Sequence, residues 1–432
     1  MPRPSGCESR VGRFGRSRGT DTKTAAAACR RPWPSVDTPW GPAYASCGAP
    51  AGTRPALRIR HRGEPRLTSP PPIRRIAINT GGGDAPGLNA VIRAAVLSAV
   101  SRGWEVFGVR KGYGALLGED SVIRLDEDSV RGITHLGGTI LGTTNRGNPF
   151  EWPTPTSDGG MTTTDRSDEL IAAFRSFGFD ALIAIGGDGS LRIAQRLCEK
   201  GLPVVGVPKT IDNDLAVTQV TFGFHTAVQT ATDALDKLHS TAESHERVMV
   251  VEVMGRHTGW IALHSGVSSS ADVILIPEIP YDIERVCAKI EQRYETGRPF
   301  AIVVAAEGAC PLDGDVSIVE AEGQGVAARY GGIADRIAHD ITERTGRETR
   351  ALVLGHLQRG GSPTAYDRLI ALRFGAAAVR CVERREFGTM VALDPPDIRA
   401  VPLEEGIRQI KRVPIDSDTV QTARDLGTSF GD

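Results

Sequence analysis

From Ile73 onward the chain alternates short, wholly apolar runs with longer stretches in which apolar residues recur every three or four positions. The short runs fall at 76–78, 181–185, 204–207, 248–253, 273–276, 301–305 and 351–354. Their length and lack of alternation suit strands buried on both faces, as in a parallel sheet. After the first run, Leu88, Val91, Ile92, Ala95, Val96 and Ala99 share one face of a predicted helix. Repetition of strand and helix predicts an α/β fold, a doubly wound parallel sheet covered by helices on both sides. In such folds ligands bind outside the carboxyl ends of the strands, so the residues that follow each apolar run are where chemistry is expected.

Residues 1–72 break the pattern. Arg, Pro, Ala, Gly and Ser dominate, acidic residues are few, and no helical or strand period persists, which predicts a disordered extension that does not join the core. The chain as a whole is ordinary in composition: 432 residues allow more than one domain, and 40% apolar content is normal for a globular chain. A formal net charge of -1 argues against nucleic acid or an anionic membrane as the main partner. A small anionic substrate, held by local arginines, fits better. The seven cysteines are scattered without metal-ligand spacing, as expected of thiols in a cytoplasmic, reducing setting, and no apolar stretch is long enough to span a bilayer.

The candidate chemistry lies in the predicted loops. Gly81-Gly82-Gly83-Asp84-Ala85-Pro86-Gly87 follows the first run, and Gly186-Gly187-Asp188-Gly189-Ser190 follows the second. Glycines let backbone N–H groups approach phosphate oxygens, and a helix start adds positive potential. Neither loop is a P-loop, and no protein-kinase motif set is present. Asp188 is a magnesium ligand on this reading; the alternative is an Asp that caps the following helix through its side chain. Next come Lys209 and Thr210-Ile211-Asp212-Asn213-Asp214, with Asp212 the candidate proton acceptor for a hydroxyl nucleophile and Asp214 orienting it or holding magnesium. An Asx-rich surface turn is the bland alternative. Arg247, Arg256, Arg350 and Arg359 each flank a predicted strand, and four arginines near one edge suit phosphate, although each alone is commonly a solvated charge. His356 is a candidate donor to a sugar phosphate, or a structural histidine.

Taken in order, Gly-Gly-Asp-Ala-Pro-Gly, Gly-Gly-Asp-Gly-Ser, Lys-Thr-Ile-Asp-Asn-Asp, Val-Glu-Val-Met-Gly-Arg and Gly-His-Leu-Gln-Arg-Gly-Gly resemble the phosphofructokinase family, from about Ile73 to Phe430. The resemblance implies two Rossmann-like domains: a nucleotide-binding domain of 73–223 plus 357–393, a sugar-phosphate domain of 224–356, and a C-terminal tail of 394–432. It implies transfer of the γ-phosphoryl of ATP, with Mg2+, to the 1-hydroxyl of fructose 6-phosphate. By position it assigns Gly83, Arg146, Gly187, Asp188, Gly189 and Ser190 to the nucleotide, Asp188 to the metal and Asp212 to catalysis. Thr210, Asp212, Asp214, Met254, Gly255, Arg256, Glu307, His356 and Arg359 would contact the sugar phosphate. Arg247 and Arg350 would reach it from a neighbouring subunit, which makes the protein a homo-oligomer, a dimer or tetramer.

Donor choice rests on two positions. Lys209 resembles the pyrophosphate-using and mixed-substrate branch, whereas Gly189 stands where pyrophosphate users commonly carry Asp. ATP is therefore the expected donor, with pyrophosphate the alternative. An NAD or lipid kinase, which can share Gly-Gly-Asp-Gly, is weighed against by the segments 210–214 and 356–359. A non-catalytic sugar-phosphate sensor would have no need of both Asp188 and Asp212. Leu97 and Glu127 replace effector-site arginines of allosteric relatives, so little response to ADP or phosphoenolpyruvate is expected.

Overall fold

The computed structural model describes residues 71–156, 159–320 and 329–432. All but the last two residues of the extension expected over 1–72 lie outside the described residues.

Two parallel sheets carry the fold. The first runs, in spatial order, Asp397–Pro402, Thr389–Asp394, Val204–Thr210, Ala181–Gly186, Arg75–Thr80, Glu105–Val109 and Val122–Leu125, with Phe222–Gly223 paired to Val204–Thr210. Its outermost strands, Asp397–Pro402 and Val122–Leu125, are antiparallel to their neighbours and the rest are parallel. The second sheet is wholly parallel, in the order Val273–Leu275, Ala301–Ala306, Val248–Val253 and Thr349–Val353. With helices packed on these sheets, the architecture is the doubly wound α/β class that the alternating pattern predicts.

All seven apolar runs are strands of these sheets. The central strands Ala181–Gly186 and Ala301–Ala306 are buried along their whole length, which is why their sequences carry no alternation. The predicted helical face is buried as well: Leu88, Val91, Ile92, Ala95, Val96 and Ala99 of helix Leu88–Val100 are each 0% exposed. This helix packs against Ala365–Glu383 at Gly375, where a Cβ would come within 2.4 Å of the Val91 carbonyl oxygen.

The tail of 394–432 is more structured than its designation suggests. Asp397–Pro402 forms an antiparallel hairpin with Thr389–Asp394 at the edge of the first sheet, and Ser429 bridges to Val273 of the second. The chain leaves the first sheet at Phe222–Gly223 through the long helix Phe224–His245, and returns from the second through Ala365–Glu383.

Candidate active site

Strand register brings the first three loops together. Thr80 pairs with Ile185 and Gly186 with Pro208, so the segments after the strands Arg75–Thr80, Ala181–Gly186 and Val204–Thr210 emerge side by side at one carboxyl edge. The two glycine loops touch: Gly81 N–H donates to Ile185 O at 2.9 Å, and a Cβ on Gly81 would sit 2.8 Å from Ser190 Oγ. On Gly186 a Cβ would sit 2.3 Å from Ser190 Cβ, so side chains at these positions would push the start of the helix Asp188–Glu199 away. Because Leu191 N–H bonds Gly187 O, the N–H groups of Asp188, Gly189 and Ser190 precede the first intrahelical bond. They are a ready anion cradle.

Asp188 is the first residue of that helix and does not cap it. The preceding Gly187 makes no side-chain cap, and Asp188 Oδ2 instead accepts from Arg192 Nε at 2.9 Å. Its side chain is one-third exposed at the mouth of the phosphate-type cradle. Among the described residues no three His, Cys, Asp or Glu side chains form a metal cage. A single carboxylate beside a polyphosphate cradle still fits magnesium, which keeps several waters and takes its other ligands from phosphate.

Lys209 and Thr210 are the last residues of a strand rather than a loop, and both are buried. Lys209 Nζ donates to Gly83 O. Burial, and then the neighbouring Arg359, push the ammonium down to about 8, while Asp84, Asp212 and Asp214 oppose the shift. The 211–214 segment is not a surface turn. Asn213 is 5% exposed with φ 52, and its Oδ1 accepts from Thr221 N–H at 3.2 Å and from Lys411 Nζ at 2.9 Å. The Asp212 backbone is held from both sides, its N–H donating to Thr210 Oγ1 at 3.1 Å and its carbonyl accepting from Thr258 Oγ1 at 3.2 Å. Burial and the Asp212 charge push Asp214 up to about 7, and Asp214 Oδ1 is buried without a hydrogen-bond partner. Such an orphaned acceptor suits a ligand hydroxyl.

The carboxyl edge of the second sheet faces this one. Val253 pairs with Ala306, so Met254-Gly255-Arg256 and Glu307-Gly308 are adjacent turns. Gly255 has φ +142, and a Cβ on Gly308 would lie 2.0 Å from the Arg256 carbonyl oxygen; both turns depend on glycine. Met254 N–H donates to Gln358 Oε1 at 3.3 Å. Arg359 crosses to the first loop, with Nη1 donating to Asp84 O at 3.2 Å and lying 3.0 Å from where a Gly83 Cβ would be. Burial, and then Asp212, push Glu307 up to about 7, while Arg256 opposes the shift. His356 is exposed and lines an open cavity of about 730 Å³ with Thr230, Leu354 and Leu357. Exposed Arg146 lines a separate cavity of about 270 Å³ with Lys111, Thr144 and Trp152.

One expectation is corrected: the four arginines do not share an edge. Arg256 and Arg359 follow their strands, but Arg247 precedes Val248–Val253 and Arg350 is the second residue of Thr349–Val353. Since these strands are parallel and Arg350 pairs with Met249, both arginines lie at the amino edge. There both pair with Glu348, at 2.8 and 2.6 Å. Flanking a strand does not say which end, and a parallel sheet separates the two ends. Residues not singled out from the sequence also join the site: Asp84, Thr258, Gln358 and Lys411 by hydrogen bonds, and His257, whose pKa is lowered by burial and by Arg256 and Arg412. Asp84 and Gln358 sat inside quoted motifs; Lys411 carried no local signal.

The raised Glu307 has a measurable consequence. A carboxyl whose folded pKa exceeds its unfolded value of about 4.3 binds more protons in the folded state, so it lowers stability as pH rises through the window up to about 7. Glu307→Gln should raise the melting temperature by a few degrees at pH 8 and change it little at pH 4. Equal shifts at both pH values would contradict a charge effect.

The phosphofructokinase family profile matches residues 75–382. The ATP-dependent 6-phosphofructokinase of Chloroflexus aurantiacus is 53% identical over 358 residues, 83% of this chain and 98% of that protein. The pyrophosphate–fructose 6-phosphate 1-phosphotransferase of Amycolatopsis methanolica is 50% identical over 344 residues, 79% of this chain and 96% of that protein. Among solved structures, phosphofructokinase from Saccharomyces cerevisiae superposes with a TM-score of 0.65 at 30% identity, over 82% of this chain and 47% of the yeast chain. The chain thus spans about half the length of that yeast chain. The profile match, the identities and the shared architecture agree: this chain belongs to the phosphofructokinase family.

Proposed function

We propose that the protein transfers the γ-phosphoryl group of ATP to the 1-hydroxyl of fructose 6-phosphate, giving fructose 1,6-bisphosphate in glycolysis. The observation that carries this reading is the position of Asp212 between the paired glycine loops of one sheet and the Arg256 and Glu307 turns of the other. Asp212 takes the proton of the attacking hydroxyl. Thr210, Asp214, Met254, Gly255, Arg256, Glu307, His356 and Arg359 hold the sugar phosphate, with Asp214 Oδ1 and Glu307 as acceptors for its hydroxyls. The backbone at Gly187–Ser190, with Gly83 and Arg146, holds the nucleotide, and Lys209 adds positive charge beside the transferred group. Asp188 is the residue that would hold Mg2+, which neutralises polyphosphate charge when bound.

On this reading the first-sheet segments 73–223 and 357–393 form the nucleotide domain and 224–356 the sugar-phosphate domain. Arg247 and Arg350 lie at the amino edge of their own sheet, away from Asp212, so a sugar-phosphate role for them requires a neighbouring subunit. That geometry supports a homo-oligomer with shared sites. Among the described residues no helix is long and apolar enough to cross a membrane, and a cytoplasmic location is proposed with the glycolytic role.

Pyrophosphate as donor is the second reading, favoured by Lys209 and by the similarity to the Amycolatopsis enzyme. Gly189 favours ATP, because a Cβ there meets nothing within 4 Å and the space is left for an α-phosphate. Incubation with fructose 6-phosphate, ATP and magnesium, followed by phosphorus NMR, should show ADP and a second sugar phosphomonoester appearing together. ADP with orthophosphate alone would mean hydrolysis and overturn the transfer reading.

A further inference from the structure

The C-terminal segment delivers one side chain to the catalytic loop from almost two hundred residues away. Lys411 Nζ donates to Asn213 Oδ1 at 2.9 Å, to Thr218 O at 2.9 Å and to Gln219 O at 3.0 Å, so all three ammonium protons are used on one loop. Its backbone continues the attachment. Lys411 N–H donates to Asp214 O at 2.8 Å, and Ile410 forms a bridge with Leu215.

The same residue is anchored to the second sheet's side of the cleft. Lys411 O accepts from Trp260 Nε1 at 2.8 Å, and the ammonium lies 5.7 Å from the Trp260 ring. Two residues on, Val413 N–H donates to Glu278 Oε1 at 2.9 Å, and Glu278 also accepts from Gly259 N–H at 3.0 Å through Oε2. The 410–413 segment therefore clasps the loop bearing Asp212 and the turn bearing Thr258, which itself bonds the Asp212 carbonyl.

From this arrangement we infer that Lys411 is a positioning residue for phosphoryl transfer, fastening the 213–219 loop so that the Asp212 carboxylate faces the acceptor hydroxyl. The inference rests on the reading of Asp212 as base. It assigns the C-terminal segment a part in catalysis without any contact to substrate. Two of the three acceptors on Lys411 are backbone carbonyls, so its ammonium holds the chain of the loop itself. A base displaced by about 1 Å costs on the order of 10²-fold in rate, whereas substrate contacts spread over several loops are less sensitive.

Lys411→Met keeps the length of the side chain and removes its charge and donors. In the full-length protein it should lower kcat about 10- to 100-fold while the KM for ATP, set at the separate Asp188 loop, stays within about threefold. Amide hydrogen exchange should quicken within 213–219 and not in the helix Asp188–Glu199. Asn213→Gly, which tolerates the left-handed backbone and removes the oxygen that accepts from both Lys411 Nζ and Thr221 N–H, should give a kcat loss of the same kind, and it decides the matter if Lys411→Met does not fold. Wild-type kcat in either folded variant, with unchanged exchange at 213–219, would overturn the inference. If the wild-type protein itself does not phosphorylate fructose 6-phosphate, the functional reading fails instead. Exchange at 213–219 in Lys411→Met then still decides whether Lys411 fastens the loop.

Discussion

Asp212→Asn is expected to lower kcat by roughly 10²–10⁴-fold, the range for loss of a general base, while fructose 6-phosphate binding changes little. The structure separates chemistry from folding at this residue. Its backbone is held through its own N–H and carbonyl, by Thr210 and Thr258, and neither bond involves the carboxylate. Asparagine keeps the shape. The Asp212 charge is also among the causes that push Asp214 and Glu307 upward, so neutralising it relieves repulsion in the cleft. Thermal stability at pH 8 should therefore hold or rise as activity disappears, the trade expected where like charges are gathered for function. Steady-state kinetics, calorimetric titration with fructose 6-phosphate and a melting curve check this together. Near-wild-type kcat would remove Asp212 from its role, and lost stability would make it structural.

The second large effect is expected at Gly189. Gly189 is exposed near the start of the helix Asp188–Glu199, and a Cβ there meets open space. Aspartate at that point suits a helix N-terminus, so Gly189→Asp should fold as well as the wild type. Any loss must then come from the donor. A carboxylate about 4 Å from an α-phosphate repels it by about 4 kcal/mol at an effective dielectric of 20, before screening. We expect kcat/KM for ATP to fall about 10²-fold, with weak pyrophosphate use appearing because Lys209 is already in place. Unaltered ATP kinetics in the folded variant would show that the donor does not lie against this residue.

Much of this was legible in the sequence because the signals are local. Buried parallel strands such as Ala181–Gly186 announce themselves as unbroken apolar runs, and glycine loops that follow them announce phosphate-type turns. Thr389–Asp394, buried at Met390, Val391, Ala392 and Leu393, is an apolar run not singled out from the sequence, while several other unpredicted strands are only weakly or one-sidedly buried. Asp397–Pro402 is nowhere fully buried, and Val122–Leu125 is buried only at its last residue, so neither produces an apolar run. Glu105–Val109 carries a glycine and begins with a charge. The site was legible where one motif holds several of its members, as in 210–214. It was not legible where a residue arrives from a distant segment, as Lys411 does, or where the direction of a strand decides which side of the sheet a residue occupies, as with Arg247 and Arg350.

The central claim is phosphoryl transfer from ATP to fructose 6-phosphate at this cleft. Its most direct test is the initial rate of fructose 1,6-bisphosphate formation by the purified protein, with ATP and with pyrophosphate as donor at matched free magnesium. The account predicts a substantial rate with ATP, exceeding that with pyrophosphate, and near-complete loss in Asp212→Asn. A faster rate with pyrophosphate would contradict the donor assignment, and no bisphosphate from either donor would contradict the function.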